Sequence, residues 1–345
     1  MRRIPWLGFA SSTAALTGVL LALGAGAAAG TTAAPVVRFA FTGDMALAAG
    51  PAESYFTGVR GELRGDVVLG NLEGTLTDRG SSKCSPNSTS CFSFRAPPAY
   101  ARLLRAAGFT VVNLANNHAF DFGLVGETDT VAAVRRAKLL TTGRPGEIAY
   151  AKVRGTRVAI VGFAPYPWAQ SLVDLPAAVA LVRKADQWAD VVVATMHAGA
   201  EGPEHRHVRP GTEWFLGENR GNSVAFAHAV VRAGADLVVG SGPHVLRGME
   251  WYRGRLIAYS LGNFVGYHTL ATSGASGVSA VLHVTLDRSG SWVDGDLAPV
   301  TLAPAGIPRA DPSRAAIAAI RDLSRQDFGP DAIAVARTGA LSPPR

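Results

Sequence analysis

Phe109-Thr110-Val111-Val112-Asn113-Leu114-Ala115-Asn116-Asn117-His118-Ala119-Phe120-Asp121 begins as an apolar run and closes on amides, an imidazole and a carboxylate. The β-branched opening predicts a buried strand over Phe109–Leu114. In α/β folds, catalytic and ligand groups gather where strands end, so the polar close marks a candidate site. The same construction recurs along the chain. Val36–Thr42 runs into Gly43-Asp44, and Val67–Leu69 runs into Asn71-Leu72-Glu73. Val191–Met196 delivers His197, with Glu201 four residues on, and Asp236–Val239 leads to Gly242-Pro243-His244. Asp, Glu, Asn and His gathered in this way suit a divalent metal of the oxygen-and-imidazole kind.

Helical signals alternate with these strands. Pro97-Pro98 opens a helix that Gly108 should close. Further helices are predicted over about 124–138, 177–188 and 223–233, with strands at Arg157–Phe163 and Leu256–Tyr259. From Val278 to about Leu302 the pattern becomes a hairpin split by Asp287-Arg288-Ser289-Gly290. Helix–strand alternation followed by late antiparallel strands predicts mixed α/β layers with sheets covered by helices. No linker interrupts residues 36–308, which read as one domain. Residues 309–345 read as a helix, from Pro312 to about Gln326, and a fraying tail.

The first thirty residues read as a targeting segment. Arg2-Arg3 is followed by an apolar run around Ala14–Leu23 and by the small residues Ala27-Ala28-Ala29. This predicts an exported protein, extracellular if the segment is cut and surface-tethered if it is not. The two cysteines, Cys84 and Cys91, enclose a short Ser/Asn/Pro loop, and in an exported chain they should form a disulfide. The formal charge is +7, but Arg outnumbers Lys 29 to 4 and no dense basic cluster occurs, so the charge reads as dispersed and no nucleic-acid partner is expected.

Each strand-end group has a role it can play chemically. Asp44 and Glu73 would repel each other unless a cation lay between them. Asn117 offers a neutral oxygen ligand, and His118 can donate a proton or bind metal. Asp121 can hold that imidazole in one tautomer or cap the next helix. His197 and His244 emerge from buried strands, and Glu201 can orient His197 or meet substrate. His205, His207, His228, His268 and His283 lack convergent partners and read as structural.

Together these motifs resemble the CapA family, capsule-synthesis proteins linked to poly-γ-glutamate within the metallophosphatase-like superfamily. The resemblance covers about Val37 to Pro304. Its carriers are Gly43-Asp44-Met45, Asn71-Leu72-Glu73, Asn113 to His118 with Asp121 and Gly123, His197 with Gly199 and Glu201, Pro243-His244-Val245, and Tyr259 to Phe264. It implies a four-layer α/β/β/α sandwich. It also implies metal ligation by Asp44, Glu73, Asn117, His197 and His244, with His118 and Asp121 as the catalytic pair. Asn116, Glu201 and Asn263 are expected to meet substrate. Two positions depart from the pattern. Ala46 stands where metallophosphatases have a His, and Gly242 stands where CapA relatives usually have one. The loss at Gly242 removes a ligand from one metal position, which leaves either a single ion or a second position whose gap water and Glu201 fill.

Three functions follow from the resemblance. The first is a hydrolase using Mn, Zn or Fe on a phosphoester or on the γ-glutamyl polymer, in contact with membrane-bound synthesis machinery. The second is a non-catalytic accessory that holds the anionic chain. The third is an exported nucleotidase-type phosphatase.

Overall fold

The chain builds one sheet, builds a second, and then returns to finish the first. The computed structural model describes residues 35–50, 54–302 and 304–345, so the targeting segment expected in the first thirty residues lies outside them. The first passage supplies β1 (Val36–Met45), β2 (Val67–Leu72), helix α1 (Tyr100–Ala107), β3 (Val111–Asn113), helix α2 (Gly123–Arg136) and β4 (Leu140–Thr142). The second supplies β5 (Ala149–Val153), β6 (Thr156–Phe163), helix α3 (Leu175–Asp186), β7 (Val191–His197), helix α4 (Ser223–Arg232), β8 (Leu237–Ser241), β9 (Met249–Tyr252) and β10 (Arg255–Ala258). The return supplies β11 (Asn263–Val265), β12 (Val278–Asp287), β13 (Trp292–Thr301), β14 (Arg309–Ala310) and helix α5 (Ala315–Phe328).

The first sheet is ordered β14-β13-β12-β1-β2-β3-β4, with β11 beside β1, and the second is ordered β9-β10-β8-β7-β6-β5. Five strands of the first sheet (β11, β1, β2, β3 and β4) and four of the second (β10, β8, β7 and β6) run parallel, and antiparallel strands flank them. Strand alternation decides what each face meets. Val37, Phe39 and Phe41 of β1 join Val158 and Ile160 of β6 and Val193 of β7 in a core between the sheets. Ala40 and Val68 face outward onto Leu104 of α1 and Val134 of α2. Ala159 and Val161 face the other way, onto Val182 of α3 and Phe226 of α4. The result is the four-layer α/β/β/α sandwich.

Helix boundaries follow local chemistry. The side chain of Asp174 accepts the Ala177 N–H at 3.0 Å to start α3, and Asn222 accepts the Ala225 N–H at 2.9 Å to start α4. Helix α1 stops at Gly108 as the sequence predicts. The C-terminal tail does not fray. Ala334–Val335 pairs with Leu341–Ser342, and Val335 and Leu341 join Ile317 and Ile320 of α5 in the inter-sheet core. The described residues form one compact unit.

Candidate metal centre

The parallel strands of both sheets end on the same cleft. In the first sheet, register sets Asp44 of β1 beside Asn71 of β2 and Asn263 of β11. In the second, His197 of β7 lies opposite Ser241 of β8, three residues before His244. Gly43 allows this crowding: a Cβ there would overlap the carbonyl oxygen of Gly262, to which the Asp44 N–H donates at 2.9 Å.

Asp44, Glu73 and His197 are fully buried and bring one donor atom each within 4.8 Å of the others. His197 Nδ1 is 3.4 Å from Asp44 Oδ1, and His197 Nε2 is 3.8 Å from Glu73 Oε1. His244 joins them, with Nδ1 3.3 Å from Asp44 Oδ2 and Nε2 3.5 Å from Glu73 Oε1. Glu201 completes the group, its Oε2 lying 3.7 Å from His244 Nε2. The cleft, about 290 Å³, is lined by His118, Glu201 and His244 and walled by Phe92, Phe94 and Phe215.

Both oxygens of Glu73, Asn117 Oδ1 and His197 Nε2 are buried with no hydrogen-bond partner among the described residues. Such groups cost free energy unless something unseen satisfies them. Electrostatics give the same indication. Burial, together with the negative charges of Asp44 and Glu201, pushes the Glu73 carboxyl well above its usual range, against the pull of His244. Burial alone would lower His244, but Glu73, Asp44 and Glu201 outweigh it and raise the imidazole to about 10. Burial would raise Asp44, yet hydrogen bonding and charge from His197 and His244 hold it well below the carboxylate range. A cluster this short of positive charge suits a divalent cation, and the donor set is of the right kind.

Support comes from the residues packed around this cluster. Asn71 Nδ2 donates to Asp44 Oδ1 at 2.7 Å and lies 3.1 Å from His197 Nδ1. Its Oδ1 accepts from Asn113 at 2.9 Å and from Asn116 at 3.1 Å. The Gly242 N–H donates to Asp44 Oδ2 at 3.0 Å, so the position lacking a His supplies a backbone donor instead. Arg220, 1% exposed, donates to Glu201 Oε1 at 2.6 Å. Asn71 and Asn113 stand inside the quoted motifs, whereas nothing in the sequence marks Arg220.

The predicted substrate amides do other work. Asn116 is fully buried, donating to Asn71 and to the Leu72 carbonyl while accepting the His118 N–H. Asn263 accepts at Oδ1 from His244 Nδ1 at 2.8 Å and donates to the carbonyls of Ala271 and Ser276. Their hydrogen-bonding capacity is spent on holding other residues. Glu201, by contrast, does line the cleft.

His118 and Asp121 meet as expected, Nδ1 to Oδ2 at 2.8 Å. That contact places a ring proton on Nδ1 and leaves Nε2 for exchange. Burial lowers the imidazole below its ordinary value, against the pull of Asp121. The histidines read as structural include His207 on Asp327, His228 on Glu250, and His283 on Asp296 and the Glu62 carbonyl. Cys84 and Cys91 are disulfide-bonded.

Comparison with known proteins agrees with these motifs. Residues 38–268 match the profile of a family described as bacterial capsule synthesis protein PGA_cap. The chain is 31% identical over 232 residues to the PGA biosynthesis protein CapA of Bacillus subtilis (strain 168), covering 62% of this chain and 57% of that one. It is 37% identical over 179 residues to the capsule biosynthesis protein CapA of Bacillus anthracis, covering 48% and 42%. The chain thus spans about half the length of these relatives. A solved structure of a putative 5′-nucleotidase from Staphylococcus aureus, in complex with α-ketoglutarate, aligns at TM-score 0.49 and 13% identity over 81% of this chain and 57% of that one.

Proposed function

The chain belongs to the bacterial capsule synthesis protein family PGA_cap, and on that footing we propose that it is a metal-dependent hydrolase of polyglutamate capsule or exopolymer metabolism. Its substrate is the γ-glutamyl polymer or a phosphoester encountered in making it. The observation that carries the reading is the set of unpartnered, buried donor atoms on Glu73, Asn117 and His197, with those of Glu73 and His197 gathered beside Asp44 and His244. These five side chains would hold one divalent ion, Mn, Zn or Fe, which supplies Lewis acidity at the reacting oxygen.

The chain's own residues do the rest. Asn71 and the Gly242 amide fix the Asp44 carboxylate, one on each oxygen. Asn263 orients His244. Asp121 holds the Nδ1 proton of His118, so in the imidazolium form the second proton sits on Nε2, and Nε2 is the atom that hands it to the leaving group and is left neutral. Phe94, stacked on His118 with ring centroids 4.1 Å apart, keeps water off one face of the imidazole. Work outside the cytoplasm is part of the proposal, and the Cys84–Cys91 disulfide supports it.

The test joins elemental analysis of the purified protein to hydrolysis of bis(p-nitrophenyl) phosphate and poly-γ-glutamate. Bound Mn, Zn or Fe at about one ion per chain is expected. His118→Ala should slow hydrolysis by about 10²–10⁴-fold. A protein that takes up no metal, or a rate indifferent to His118→Ala, would overturn the proposal. Polyglutamate binding unchanged by that substitution, in metal-free protein, would establish the accessory role instead.

A further inference from the structure

The disulfide loop grips the catalytic pair. Thr75–Leu76 pairs with Arg95–Ala96 at its base, Ser82 Oγ donates to Ser93 Oγ at 2.8 Å, and Cys84–Cys91 closes it near its tip. The residues just outside that bridge turn inward. Lys83 Nζ lies 2.7 Å from Asp121 Oδ1 and donates to the Asn117 carbonyl at 3.2 Å, while the Lys83 N–H donates to the Asp121 carbonyl at 2.8 Å. On the other side the Phe94 N–H donates to Asp121 Oδ2 at 2.6 Å, and its ring covers His118. Asp121 is fully buried. Among the described residues Lys83 is the Lys or Arg paired with its carboxylate.

We propose that this loop is a clasp for the proton donor, with Lys83 and Phe94 as positioning residues and the disulfide holding both in place. Lys83 pairs with Asp121 and holds its carboxylate in one orientation, so that Asp121 accepts from His118 Nδ1 and His118 presents Nε2 to the cleft. Phe94 fixes the plane of the ring. The disulfide keeps Lys83 and Phe94 on opposite sides of one short segment, which reduces the freedom the loop loses when it closes. The inference rests on His118 being the proton donor of the proposed hydrolysis.

The test reads the His118 ring directly by proton NMR, alongside hydrolysis of bis(p-nitrophenyl) phosphate. An imidazole N–H donating to a buried carboxylate gives a far-downfield resonance, identified by its loss in His118→Gln. Lys83→Met and the double variant Cys84→Ser/Cys91→Ser should broaden or abolish it, and Lys83→Arg should restore it. Lys83→Met should lower kcat about tenfold with KM nearly unchanged, at unaltered metal content. A resonance that survives Lys83→Met, or that is absent from the wild-type protein, would overturn the clasp. Lys83→Met retains the disulfide, so it decides the matter even if the cysteine variant misfolds. A resonance that behaves as expected while His118→Ala leaves hydrolysis intact would strike the proposed function alone.

Discussion

Asn71 holds four neighbours with one amide: Asp44 and His197 through its nitrogen, Asn113 and Asn116 through its oxygen. Asn71→Leu removes the donor that orients Asp44 and strands two buried amides. Metal affinity should fall about 10–100-fold by titration, and stability by about 1–3 kcal/mol for each donor left unpaired. Gly242 bears on the proposed single ion. Its φ is +109°, and a Cβ there would meet the Ala198 nitrogen at 2.9 Å and His197 Cδ2 at 3.2 Å. Gly242→His therefore should not create a second ion site. We expect unchanged metal stoichiometry in elemental analysis and a stability loss of about 1–3 kcal/mol in denaturant melts.

Elements that announce themselves locally were legible in the sequence. The runs at 67–69 and 191–196 are β-branched and stop at polar residues, so both the strands and the groups at their ends could be read. Ala149–Val153 was not, because its antiparallel partnership with β6 depends on sheet position rather than on any pattern of its own. Asn116 and Asn263 were recognised as site residues, but their commitment to other side chains is set by tertiary register. Arg220 arrives from a loop whose course the sequence does not fix. His283 illustrates an element-scale role. It ties β12 to Asp296 of β13 and to the Glu62 carbonyl, and although burial lowers its pKa, these partners leave it raised above 6.5. A raised imidazole contributes stability in full below 6.5 and loses it as pH climbs through the folded value. The wild type should therefore lose stability relative to His283→Gln over the range upward from pH 6.5, as read by thermal melts at stepped pH. An equal pH dependence in both proteins would count against this.

At the scale of the molecule, the C-terminal segment belongs to the core. Ile317, Ile320, Ile333, Val335 and Leu341 fill the space between the sheets. Burial of five aliphatic side chains is worth about 8–15 kcal/mol, comparable to the whole stability of a domain. Deleting residues 312–345 should abolish the cooperative melt and the near-ultraviolet circular dichroism. The geometry of the proposed ligands has a further whole-molecule consequence. Asp44 and Glu73 come from the first sheet and its loops, and His197 and His244 from the second. An ion gripped by both acts as a rivet through the sandwich. A hundredfold excess over its dissociation constant would add about 2.7 kcal/mol, and EDTA should lower the melting temperature accordingly, with added metal restoring it. Scarcity of the ion would then loosen the two halves of the sandwich in step with the loss of the Lewis acid from the cleft.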